Sequence, residues 1–423
     1  MKDCKKITLP NGLRVLLAPQ PSNMATTVLV LVQAGSEYET KRINGLSHFL
    51  EHMCFKGTTK RPQSGMIANE LDSLGAEYNA FTGQEYTGYW AKSQYHKLPQ
   101  ILDLVSDLYL NPTFSEAEIE KERGVIIEEI NLYEDTPMRR VHDLFSSLLY
   151  GDQPAGWDIG GRKEVIRTLK RDDFITYRNS HYIAPATVVV ISGNFNATKV
   201  AATVKSYFGK LPRRNKVVKT KTVERQKQPA VFLKTKDSDQ THLVLGVRTF
   251  NIFDKRRYAS QVLADALGGG MSSRLFHRVR EELGAAYYVR ASSDLSIDHG
   301  FLAVSAGVDN AKIEVVMKAI LEEFRRTTKE LISPTELKKV KDHLTGGIIL
   351  GLESSDELAG YYGGQEIIAG AITSPKELIK KVNAVTAEEV RAVARFAFTN
   401  AKLNCAVIGP YKNDAFLKKV VTL

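Results

Sequence analysis

The chain has 423 residues, 43% hydrophobic and 25% charged, long enough for two or three domains that bury large cores without disulfide support. Its three cysteines, Cys4, Cys54 and Cys405, are too few and too widely spaced for a disulfide framework or a thiol metal knuckle. A net charge of +10 raises nucleic acid, anionic membrane or acidic peptides as partners, but no run approaches the roughly 20 apolar residues of a membrane helix.

The basic start is followed by alternation rather than by an apolar signal segment. A soluble protein is expected, cytoplasmic unless a signal has been removed. From Lys6 to Ala18 the alternation reads as two strands joined at the turn Asn11-Gly12. An apolar strand follows in the stretch Thr27 to Glu37. A helix is then expected from Asn44, which would cap it, to Gly57 at its end. Leu74-Gly-Ala-Glu-Tyr-Asn79-Ala80 leads into a further strand. Ser115 and Glu118 form a capping box for a long helix to Asp135, with Pro137 just past its last turn. The run Val125-Ile126-Ile127 predicts that this helix is buried. Ile191 to Asn196 is an apolar strand running into glycine.

Much of the second half repeats the first in the same order. Thr241 to Asn251 echoes Thr27 to Glu37, and a helix follows near Tyr258. Leu283-Gly-Ala-Ala echoes Leu74-Gly-Ala-Glu, Ser333 to Ile348 echoes Ser115 to Ile130, and Val407 to Lys412 echoes Ile191 to Asn196. The spacing between partners is nearly constant, which indicates a duplicated α+β unit. The expected division is a first domain over 1–210, a basic linker over 211–228 and a homologous domain over 229–423. The linker lacks the interleaved aromatics that base stacking needs, so it reads as a solvated connector and no nucleic-acid partner is expected. Gly268-Gly-Gly-Met-Ser-Ser precedes a helix but lacks the ending of a phosphate loop.

Chemistry concentrates in the first half. His48 and His52 are one helical turn apart and project from the same face, where two imidazoles can share a zinc ion. Glu51 borders that face, placed to accept a proton from a water on the metal. The order H-x-x-E-H is the inverted zincin motif. A third ligand is expected from the helix after Ser115, where Glu122 and Glu129 are nearly two full turns apart and share a face. Buried carboxylates without partners are costly, and a cation between the two helices would remove that cost. Salt bridging to nearby basic residues is the other explanation, more natural for Glu128 than for Glu129.

With these residues the sequence resembles, over essentially its whole length, the pitrilysin/insulin-degrading-enzyme family in its shorter, processing-peptidase branch. In that family H-x-x-E-H is followed by a glutamate ligand 77 residues past the second histidine, the position of Glu129 here. The resemblance implies His48, His52 and Glu129 as ligands of one zinc ion per chain, Glu51 as general base and Glu122 as the residue orienting a ligand. It implies a chamber enclosed by the domains, peptide substrates adding as a strand beside Asn79 and Ala80, and a homodimer, with a heterodimer of related subunits as the variant. It also implies that Arg280 and Tyr287 contact the substrate backbone and assist the reacting carbonyl. Taken without the family, Arg280 is a helix surface charge and Tyr287 a core aromatic. Aligning the halves puts Gln261, Ala264 and Asp265 opposite His48, Glu51 and His52, and Val340 and Gly347 opposite Glu122 and Glu129. The second half thus keeps the scaffold without the metal groups. The expected function is a zinc endopeptidase acting on peptides or extended segments. A non-catalytic subunit of a related assembly is the alternative.

Overall fold

The computed structural model describes residues 4–423. The first sheet has six strands, β1 (Lys5–Thr8), β2 (Arg14–Pro19), β3 (Ala25–Val32), β4 (Glu77–Thr82), β5 (Thr87–Gln94) and β6 (Thr187–Gly193), in the order β1-β2-β6-β3-β5-β4. The second has five, β7 (Ala230–Thr235), β8 (Gln240–Arg248), β9 (Ala286–Leu295), β10 (Gly300–Asp309) and β11 (Leu403–Gly409), in the order β7-β11-β8-β10-β9. Strand for strand, β2-β6-β3-β5-β4 and β7-β11-β8-β10-β9 match. The one parallel pair falls at the same place in each, β2 with β6 and β7 with β11, and every other pair is antiparallel. The duplicated α+β architecture is therefore present in the topology itself.

Neither compact unit is contiguous in sequence. The first comprises residues up to 131, 157–220 and 349–374; the second comprises 132–156, 221–348 and 375–423. Each sheet has one face covered by helices of its own half and the other by a helix from the opposite half. Ser355–Ala369 lies on the first sheet, where Ala359, Tyr362 and Ile367 pack against Leu16, Leu29, Leu31, Val188 and Val190. Pro137–Tyr150 lies on the second, where Val141, Phe145 and Leu149 meet Val244, Ala303, Ala406 and Ile408. Central strands buried on both faces need unbroken apolar runs rather than alternation, which is why Thr187–Gly193 reads Thr-Val-Val-Val-Ile-Ser-Gly and is buried throughout. Gly363 permits the close approach of the covering helix: a Cβ there would lie 2.7 Å from Leu31 Cδ1.

The basic segment is not simply solvated. Lys216 donates to Gln33 Oε1 at 2.9 Å. The Lys219 side chain is only 6% exposed and pairs with Glu85 at 2.8 Å and with Glu37. The helix after Ser115 is covered on one side only: Ile126 is fully buried while Val125 is 50% exposed.

Candidate metal centre

The histidine helix spans Leu46–Met53, and its apolar side, Leu46, Phe49, Leu50 and Met53, is buried in the core of the first unit. Its start differs from the sequence expectation. Asn44 does not cap it; Gly45 does, in the left-handed region at φ 97° and without a side-chain cap. A side chain at Gly45 would also strike the Gly160 carbonyl at 2.7 Å. The free N–H groups are taken by Glu39 instead, which accepts from Ser47 N at 2.6 Å and from Gly45 N at 2.7 Å. Asn44 serves the same carboxylate, donating its side-chain amide to Glu39 at 3.1 Å. Burial pushes Glu39 up to about 7, against the pull of these hydrogen bonds. A buried helix start with glycine at the cap must find an acceptor elsewhere. Nothing in the local spacing singles out position 39.

The glutamate helix, Glu116–Glu134, brings Glu122 and Glu129 to the histidines. Glu129 Oε2 lies 3.6 Å from His48 Nε2 and 3.5 Å from His52 Nε2. One ligand atom from each of the three residues falls within 4.8 Å of the others. Two ligand atoms bonded tetrahedrally to zinc at about 2 Å stand roughly 3.3 Å apart, so this donor set fits the ion with little adjustment. Glu122 Oε1 is 2.9 Å from His52 Nδ1. The carboxylate accepts, so Nδ1 carries a proton, and Nε2, on the side of Glu129, is the nitrogen that could bind a metal. Lys56 donates to the other oxygen of Glu122 at 2.7 Å. Burial would raise Glu122, but the hydrogen bonds from His52 and Lys56 hold it below the usual carboxylate range. Burial would lower His52, yet Glu122, Glu51 and Glu129 outweigh it and raise the imidazole. Glu128 is exposed and plays no part in the cluster.

Glu51 is 9% exposed. Burial raises its carboxyl, opposed by a hydrogen bond from Thr82 and by His52, and reinforced by Glu129. The Thr82 hydroxyl donates to Glu51 Oε2 at 2.6 Å. In the sequence the only signal for Thr82 is its position three residues past Asn79 on the same strand. Asn79 and Ala80 stand on β4, the edge strand of the first sheet, with Asn79 exposed and Ala80 buried. In the second unit Tyr287 is 74% exposed rather than a core aromatic. Arg280 is exposed on a π-helical segment, Phe276–Glu282, and its guanidinium lies 5.9 Å from the Tyr287 ring centroid. Such segments are rare and concentrate at functional positions. Asp265 and His343 form an ion pair at 2.9 Å, and Val340 is 3% exposed.

Residues 14–162 match the family model described as insulinase, peptidase family M16, and residues 168–344 match the peptidase M16 inactive domain. The chain is 34% identical over 409 residues to an uncharacterized zinc protease, YmxG, of Bacillus subtilis, covering 97% of this chain and 99% of that protein. It is 35% identical over 417 residues to an uncharacterized zinc protease of Mycobacterium leprae, covering 98% and 93%. Among solved structures, a protease from Helicobacter pylori superposes with a TM-score of 0.91 at 23% identity, over 96% of this chain and 99% of that one. A peptidase M16 inactive domain from Pseudomonas fluorescens gives 0.88 at 18% identity, over 97% and 98%. With both halves matched in order and relatives aligned nearly end to end, the chain belongs to the pitrilysin (M16) peptidase family in its short form.

Proposed function

We propose that the protein is a zinc-dependent endopeptidase with one zinc ion per chain, held by His48, His52 and Glu129. The observation that carries this is the convergence of those three donors, with Glu122 fixing the tautomer of His52 and Glu51 beside them. When bound, zinc supplies a Lewis acid that acidifies water and polarises a carbonyl. Glu51 takes the proton of the attacking water and returns it to the leaving amine nitrogen. Its raised carboxyl suits both halves of that transfer, because a stronger base accepts more readily and is still able to give the proton up. A peptide pairs as an added strand along the outer edge of β4, beside Asn79 and Ala80. That pairing requires unfolded or extended substrates. Arg280 and Tyr287 act as further donors to the substrate backbone and the oxyanion. The zinc protease names of the relatives support this function. The active form is a homodimer, with a heterodimer of related chains as the variant.

Metal analysis and digestion of a quenched-peptide library, on wild type and Glu51→Gln, test it. Near one zinc per chain and cleavage reduced about 10²–10⁴-fold in E51Q, with zinc retained, are expected. A folded wild type with neither zinc nor cleavage is instead a non-catalytic subunit. Among the described residues, no helix is long and apolar enough to cross a membrane.

A further inference from the structure

Thr82 is the last residue of β4, paired with Thr87 across the hairpin. Gly83 N donates to Tyr86 O at 2.9 Å to close the turn. The turn is held from outside as well, since Ser36 N and Glu37 N donate to the carbonyls of Gly83 and Gln84 at 3.3 and 2.9 Å. Backbone this constrained delivers a side chain to a fixed point. Thr82 shares a sheet face with Ala80, which is buried in the core beneath the histidine helix, whereas Phe81 is exposed on the opposite face. The hydroxyl therefore reaches Glu51 and donates to Oε2 at 2.6 Å. A carboxylate rotates freely about its last bond unless one oxygen is held. With Oε2 engaged, Oε1 is the oxygen left to exchange a proton.

We propose that Thr82 is a positioning residue: its hydroxyl sets the rotation of the Glu51 carboxylate and ties the base to the strand along which a peptide pairs. This role rests on the peptidase function proposed above. One strand then does two things, since its backbone edge aligns the scissile bond and its terminal hydroxyl aligns the group that moves the proton. Peptide binding that shifts β4 shifts the base with it.

The test is Thr82→Val, which keeps the shape and removes the hydroxyl, beside Thr82→Ser, which restores it. Zinc affinity by chelator competition, kcat and KM on one quenched peptide, and crystal structures of wild type and T82V are compared. T82V is expected to lose about 10–100-fold in kcat, with KM and zinc affinity within about twofold of wild type. T82S recovers most of the loss, and Glu51 leaves its wild-type orientation in T82V. Wild-type kcat in T82V, a parallel loss of zinc affinity, failure of T82S to recover, or an unmoved Glu51 would each overturn the proposal. If wild type cleaves no peptide, the peptidase function fails, and the orientation of Glu51 in T82V still decides what Thr82 does.

Discussion

The two units are built on the same strand order and carry opposite chemistry at matching places. In the first, the helix packed under the sheet presents His48, Glu51 and His52 toward Glu122 and Glu129, and the carboxylates raise the His52 imidazole despite its burial. In the second, the position opposite His52 is Asp265, which closes on His343, and the position opposite Glu122 is Val340, buried in the core. At the first place imidazoles and a carboxylate converge; at the second a carboxylate and an imidazole bond to each other beside an apolar side chain. A shared fold thus fixes where a site stands, while a handful of side chains decides whether it can hold anything.

Glu129→Gln strikes the comparison hardest. Loss of the third ligand is expected to weaken zinc binding by more than about 100-fold, measured by chelator competition on folded protein. Retention of wild-type affinity would mean that the first unit binds metal with other groups. Glu122→Gln comes next. Gln offers one acceptor in place of two, so the hold on His52 and Lys56 loosens, and a 10- to 100-fold loss of zinc affinity is expected, with the fold intact.

Glu39 sharpens the comparison through stability. In the second unit the start of helix Arg257–Gly268 is served by a nearer and more open carboxylate, Asp254, which accepts from Arg256 N at 2.8 Å. The carboxyl of Glu39 is raised from 4.5 to about 7 in the fold, so the folded state binds the proton more tightly than the unfolded one. The resulting stabilisation is complete below about pH 4.5 and is lost as pH rises through 7. Glu39→Gln, neutral throughout, lacks this drift. Unfolding of wild type and E39Q without metal, from pH 4.5 to 8.5, is expected to show wild type losing ground to E39Q by on the order of 2–3 kcal/mol. A pH-independent difference would mean that Glu39 does not titrate there. The smallest effect is expected for His343→Ala, since that imidazole is 56% exposed. A cost below about 1 kcal/mol and unchanged zinc content are expected. Loss of zinc from H343A would break the comparison outright, because the second unit would then hold metal too.

Legibility from sequence followed the range of the signals. The helical spacing of His48, Glu51 and His52 is local, and the seven-residue spacing of Glu122 and Glu129 is local to another helix, so both were readable. The repeat also gave the correspondence that strips the second half of metal groups. Glu39 and Thr82 were not readable, because each acts across a turn whose geometry no periodicity encodes. Asn44 misled for the same reason. It is the residue type that caps helices, but a left-handed Gly45 carries the chain around and leaves the capping to a carboxylate upstream. The burial implied by Val125-Ile126-Ile127 held for Ile126 alone, since one face of that helix stays open beside Glu129.

The exchange of helices Pro137–Tyr150 and Ser355–Ala369 between the sheets has a consequence for synthesis. A ribosome that has finished the first sheet has not yet made the helix that covers it; at roughly 5–20 residues per second, about 10–30 s pass before residues 355–369 emerge. Through that interval Leu16, Leu29, Leu31 and Val190 lack the Ala359, Tyr362 and Ile367 side chains that cover them in the fold. The nascent protein therefore depends on chaperones or on transient collapse in a way that two contiguous domains would not. Severed near residue 220, the halves are expected to aggregate when made apart and to assemble only when made together.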